Sequence, residues 1–265
     1  MTSRPSLWVS AAIGVAAGLL SGLFGVGGGI IIVPGLVLFG GMEQRRAHAT
    51  SLAAIVPIAL GGVVGYAIES GVDWAAAGLL TAGALAGTVV GTRFLRAVPQ
   101  RTLRVIFAIF LLGSAALLPF EASSTRPLGE LDLVAGAALV AVGLLAGGLA
   151  GLLGVGGGIV MVPALVLVLA EPQVIAKGTS LAVIVPTALA GTVSNLRAGL
   201  TDLRTAGVAG LAGIAAAYGA SILAVELDPV LSAVLFALLL VAMAVRLLLA
   251  ARGRPVPGET DPDSQ

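Results

Sequence analysis

The 265-residue chain is 58% hydrophobic and only 10% charged, with 13 acidic and 14 basic side chains, whereas an ordinary soluble domain carries about 25% charged residues. So little charge cannot coat a water-facing surface, which excludes a soluble enzyme and a disordered chain. With no cysteine, a single histidine (His48) and a net charge of +1, there is no disulfide scaffold, thiolate nucleophile, Cys- or His-rich metal site, or basic face for nucleic acid.

A helix needs about 20 apolar residues to cross a hydrocarbon core of about 30 Å. The first apolar run, residues 7–40, is too long for one crossing and is interrupted by Gly25-Val26-Gly27-Gly28-Gly29. Glycine costs about 1 kcal/mol relative to Ala in a helix interior. The expected element is therefore a spanning helix, a broken turn, and a second piece that returns to the starting side. Single crossings are expected over 49–68, 74–94 and 103–120. A second overlong run, 131–170, breaks in the same way at Gly154-Val155-Gly156-Gly157-Gly158. Crossings at 179–196, 205–225 and 229–250 follow, and residues 251–265 read as a disordered, Pro-rich and acidic tail. The class is an all-α polytopic membrane protein with 8 to 10 transmembrane elements.

Basic residues favour cytoplasmic loops, and they test the returning pieces. If both long runs return and the N-terminus is inside, all of the 14 basic residues except Arg126 and Lys177 are cytoplasmic. If each long run crosses once, the basic residues divide evenly. The returning arrangement puts both termini in the cytoplasm. Arg4 followed by the run 7–23 has the look of a signal peptide, but that run has an internal counterpart, which argues against cleavage.

The counterpart belongs to a repeat that keeps one register throughout. Gly18 to Ile30 lies over Gly147 to Ile159, Pro34 over Pro163, and Thr50-Ser51-Leu52-Ala53-Ala54-Ile55-Val56-Pro57 over Thr179-Ser180-Leu181-Ala182-Val183-Ile184-Val185-Pro186. The expected division is a first repeat at 1–120, a connection at 121–130 and a second repeat at 131–250. Charge changes sign between equivalent loops: the basic stretch at 93–104 corresponds to the acidic Glu226–Asp228 region. The second repeat is therefore expected upside down, an architecture of transporters with midplane sites and discontinuous helices.

The Gly-rich turns are the first candidate site. Inside a bilayer their backbone groups find no partner in lipid, so they must sit in protein or line a wet cavity. Gly27, Gly28, Gly29, Gly156, Gly157 and Gly158 would offer amide N–H groups and a positive helix-dipole end to an anion. Tight packing is the alternative, and it is preferred for the spaced glycines such as Gly14/Gly18/Gly22 and Gly143/Gly147/Gly151. Thr50, Ser51, Thr179 and Ser180 stand as either ligands or helix N-caps. Pro34, Pro57, Pro163 and Pro186 would kink their helices or serve in gating. His48 and Lys177 stand at the two mouths as rim cations or interfacial anchors, and Asn195 lines the path or bonds between helices. No Asp or Glu falls near the middle of a span, so the carboxylate relay of a cation pump is missing. Neutral dipoles with cationic rims suit an anionic solute.

These duplicated Gly-Val-Gly-Gly-Gly…Pro and Thr-Ser-Leu-Ala…Val-Pro motifs resemble the sulfite exporter TauE/SafE family of bacterial membrane transporters, over roughly residues 10–250. The resemblance implies a permease for sulfite, sulfonates or related organosulfur anions. The expected function is secondary transport (anion export) of a small anionic solute by alternating access. A passive anion channel or a non-transporting membrane assembly factor is the alternative. No cofactor, metal or enzymatic activity is implied. The expected partners are the solute and the lipid bilayer, and a homo-oligomer is compatible with this reading.

Overall fold

The computed structural model describes residues 5–88, 100–121, 132–153 and 157–252. Most of the expected connecting loop and tail, the end of the expected 74–94 crossing, and Gly156 lie outside them. Among the described residues the chain is all helical: α1 (Leu7–Phe24), α2 (Gly29–Leu38), α3 (Gln44–Glu69), α4 (Trp74–Ala86), α5 (Gln100–Glu121), α6 (Leu133–Leu153), α7 (Gly158–Leu169), α8 (Gln173–Arg197), α9 (Leu203–Glu226) and α10 (Pro229–Ala251). Six of these, α1, α3, α5, α8, α9 and α10, are long and apolar enough to cross a membrane. The chain is a polytopic membrane protein.

Both overlong runs are broken at their glycines. α1 ends where Gly25 turns left-handed at φ 71°, its N–H capping Ser21 O. Gly27 and Gly28 follow at φ 77° and 75°, a conformation that strains any residue with a Cβ. The second break differs in detail, since Gly157 enters α7 in the right-handed region at φ −66°. Several other helix starts follow polar caps. Ser6 opens α1, while Asp73, Asp202 and Asp228 open α4, α9 and α10, each accepting from first-turn N–H groups. α3 and α8 begin earlier than the crossings at 49–68 and 179–196. Their first turns carry Gln44, Arg45, Arg46, Gln173 and Lys177, which extend a helix without counting as apolar.

Spaced glycines fix how these helices pack. Gly14, Gly18 and Gly22 set the α1 backbone directly on the carbonyls of Ala209, Gly213 and Ala217, so α1 and α9 run parallel. Gly143 and Gly147 set α6 on the carbonyls of Leu80 and Ala84, so α6 runs parallel to α4. The register of the sequence repeat relates the two sets: Gly143 answers to Gly14 and Leu80 to Ala209, as Gly147 does to Gly18 and Ala84 to Gly213. The expected small-residue packing is what is found here.

The ends of α3 relate the two sets in space. Thr50, near its start, bonds the start of α9 at Asp202, while Ser70, at its end, lies three residues before Asp73 at the start of α4. With 26 residues, α3 is about 39 Å long. α9 and α4 therefore begin at opposite ends of it, and so do their parallel partners α1 and α6. α1 and α3 begin at the same end, so α2 brings the chain back to the side it left. Large apolar side chains such as Trp8, Leu211 and Leu238 face outward, as a lipid-facing surface requires.

Candidate functional site

The first glycine break is buried throughout, so its polar backbone groups need protein partners. Carbonyls at the end of α1 and at Gly25 have them. Gly25 N–H donates to Ser21 O at 2.8 Å, the Tyr66 hydroxyl of α3 donates to Gly22 O, and the Ser180 hydroxyl of α8 donates to Gly25 O at 2.9 Å. The amides do not: among the described residues none of the N–H groups of Gly27, Gly28 and Gly29 donates to another group. They stand at the start of α2, where the first N–H groups of any helix lack intrahelical acceptors and the dipole is positive.

The second break meets the first. A Cβ on Gly158 would lie 2.5 Å from Gly25 O, and one on Gly27 would lie 3.1 Å from Ile184 Cδ1 and 3.6 Å from Ile55 Cγ2. Ile55 and Ile184 occupy matching places in the duplicated Thr-Ser-Leu-Ala motif, so equivalent side chains flank one glycine. Gly28 is held against Ala17 O, where a Cβ would come within 2.8 Å.

Lys177 is fully buried rather than at a rim. Its backbone packs on the break, for a Cβ on Gly25 would lie 2.7 Å from Lys177 Cα. Its Nζ donates to Ser232 Oγ of α10 at 2.7 Å and lies 5.9 Å from the centre of the Phe24 ring. Among the described residues no carboxylate pairs with it. An ammonium removed from water without a counter-charge is expensive, and a hydroxyl with one aromatic face offsets only part of that cost. Sequence reading placed Lys177 at a mouth because it lies just before Thr179-Ser180, ahead of the expected crossing at 179–196. It could not show that α10 and Phe24 close over it.

The four hydroxyl residues are all fully buried but have different partners. Thr50 Oγ1 accepts Asp202 N–H and Thr179 Oγ1 accepts Asp73 N–H, each at 3.0 Å. Neither caps its own helix, since α3 and α8 start at Gln44 and Gln173; each instead supports the first residue of another helix's cap. Ser51 Oγ donates to His48 O at 3.0 Å, whereas Ser180 joins the glycine break. Half-buried His48 thus lies by the α9 start, away from Lys177. Asn195 lies near the far end of α8, its carbonyl accepting Leu200 N–H, and is not gathered with the break. Pro34, Pro57, Pro163 and Pro186 lie inside α2, α3, α7 and α8. The arrangement around Gly25–Gly29 therefore collects Gly158, Lys177 and Ser180, with Tyr66, Phe24 and Ser232, which sequence reading had not singled out.

Comparison with known proteins places this arrangement in context. The family described as "Sulfite exporter TauE/SafE" matches residues 1–118 and 139–264. The "Probable membrane transporter protein YunE" of Bacillus subtilis is 29% identical over 211 residues, covering 71% of this chain and 77% of that protein. The "Probable membrane transporter protein YdhB" of the same organism is 36% identical over 104 residues, covering 39% and 42%. The "Probable membrane transporter protein MJ0441" of Methanocaldococcus jannaschii is 28% identical over 195 residues, covering 70% and 71%.

Proposed function

This chain belongs to the sulfite exporter TauE/SafE family, and from that premise we propose that it carries a small anion, sulfite or a sulfonate, across the bacterial plasma membrane by alternating access. Two repeats of opposite orientation, residues 1–120 and 131–250, form the moving halves, and both termini lie in the cytoplasm. The anion docks where the glycine breaks meet. The amides of Gly27–Gly29 and the dipole of α2 bind its oxygens, and the Lys177 ammonium supplies the counter-charge. Gly157, Gly158 and Ser180 complete the cradle from the second repeat.

The observation that carries this reading is the burial of Lys177 with a hydroxyl and a ring as its only described side-chain partners. A membrane protein gains nothing in stability from such a charge, so its place against the glycine break supports a functional role. The opposing Ile55 and Ile184 at Gly27 give the route a narrow apolar waist that either repeat can open.

Purified protein in liposomes tests this. Saturable uptake of labelled sulfite or methanesulfonate is expected in the wild type, with a loss of at least tenfold in Lys177→Gln and partial retention in Lys177→Arg. Equal flux in all three contradicts the reading, and large ohmic currents without saturation would make the protein a channel.

A further inference from the structure

Glu171 lies between α7 and α8, in a three-residue connection outside the expected crossings. It is 7% exposed, and neither carboxyl oxygen makes a well-formed hydrogen bond, the Asp73 carboxyl being the polar group beside it. The equivalent position in the first half is Met42, also 7% exposed. The local backbone matches as well: Met42 N–H donates to Leu36 O, and Glu171 N–H to Leu165 O, donors and acceptors both in the repeat register. The residue before each is left-handed, Gly41 at φ 63° and Ala170 at φ 52°. Glycine adopts that turn freely, whereas alanine does so only under strain. The fold therefore accepts an apolar side chain at this spot, and α7–α8 holds a carboxyl there in a strained turn instead. Gln173 adds to the anomaly, since its amide nitrogen and oxygen are also buried without partners.

We propose that the Glu171 carboxyl is a proton-binding site, and that it takes up and releases one proton in each transport cycle so that anion movement is proton-coupled. The coupling rests on the transport reading above; the protonation does not. The charged groups around Glu171 leave the proton as its partner. Burial, then a hydrogen bond shared with the carboxyl of Asp73, the cap of α4, and the repulsion of its negative charge push the Glu171 pKa up to about 8. α4 beyond its cap, α6 and α7 carry no ionisable residue. α5 carries Arg101 and Arg104 in its first turns and ends at Glu121. On α8 the first cation, Lys177, is turned toward Ser232 of α10. The position also suits coupling, because Asp73 hangs on Thr179, two residues from Lys177. Protonation at Glu171 thus acts on the element that presents the anion's counter-charge.

Two measurements test the proposal. Infrared titration of the full-length protein should show the carbonyl stretch of a buried protonated carboxyl at pH 6. That band should disappear well above the ordinary carboxylate range and be absent from Glu171→Gln and Glu171→Met. A wild-type band that persists in both variants, or that is lost instead in Asp73→Asn, overturns the assignment. Liposome flux of methanesulfonate, whose own charge does not change with pH, tests the coupling. Wild-type flux should rise severalfold under an imposed pH gradient, while Glu171→Gln should keep exchange at equal pH and lose that stimulation. Retained stimulation in Glu171→Gln overturns the coupling. If the wild type moves no sulfonate or sulfite at all, the transport reading and the coupling fall together, and the infrared result still decides the proton site.

Discussion

Thr50 Oγ1 accepts the backbone N–H of Asp202 at 3.0 Å, and Thr179 and Asp73, their counterparts in the repeat register, make the same bond at the same distance. Both hydroxyls are fully buried, so removing either strands a donor away from water. Thr50→Val and Thr179→Val should each lower stability by about 1–3 kcal/mol, read as a fall in Tm of the purified protein in detergent. The sites lie at opposite ends of α3, so the double variant should lose the sum of the two. Thr→Ser at either position, which keeps the acceptor, should lose much less.

Packing glycines and free glycines should respond in opposite directions. A Cβ at Gly14 or Gly143 runs into the facing carbonyl of Ala209 or Leu80, whereas one at Gly78 of α4 or Gly207 of α9 meets nothing within 4 Å. Gly14→Ala and Gly143→Ala should therefore lower the Tm. Gly78→Ala and Gly207→Ala should raise it, each adding up to about 1 kcal/mol of stability from helix propensity. Thermal melts of the four variants check this.

The two triple glycines, alike in sequence, should not be equally sensitive. Gly28 is left-handed and pressed on Ala17 O, while Gly157 is right-handed and faces the movable end of Met161. Gly28→Ala should cost about 1–2 kcal/mol from conformation alone, with added loss from the contact. Gly157→Ala should cost far less, because the Met161 side chain can swing aside. Parallel melts and membrane expression levels measure the difference.

The breaks were legible in the sequence because clustered glycines after a long apolar run leave few other structures open. The repeat register was equally legible, and it turned out to relate contacts such as Gly14–Ala209 and Gly143–Leu80 as well as motifs. What stayed hidden depended on partners far along the chain. The capping expectation for Thr50 and Thr179 missed that their hydroxyls serve helices from the other half of the sequence. Lys177 sits near a helix start, which hydropathy assigns to an interface, and only the packing of α10 and Phe24 shows that it is interior. Glu171 occupies what composition marks as a loop. Its oddity could have been noticed from Met42 at the matching place, but its burial could not.

Stability should depend on pH through Glu171. Its folded-state pKa of about 8 lies above the ordinary value of 4.5, so the folded protein holds a proton that the unfolded chain gives up more readily. The stabilisation is full below about 4.5, declines as pH rises and is lost through about 8. Tm should therefore fall from pH 5 to pH 8 more steeply in the wild type than in Glu171→Gln or Glu171→Met. Melts in a buffer series read the slopes directly.

Isothermal titration of the purified protein with methanesulfonate and with sulfite asks most directly whether the buried ammonium and the bare amides hold an anion. Saturable binding to the wild type is expected, reduced at least tenfold in Lys177→Gln and partly kept in Lys177→Arg. Undiminished binding by a folded Lys177→Gln protein, or no binding of either anion by the wild type, would contradict the account.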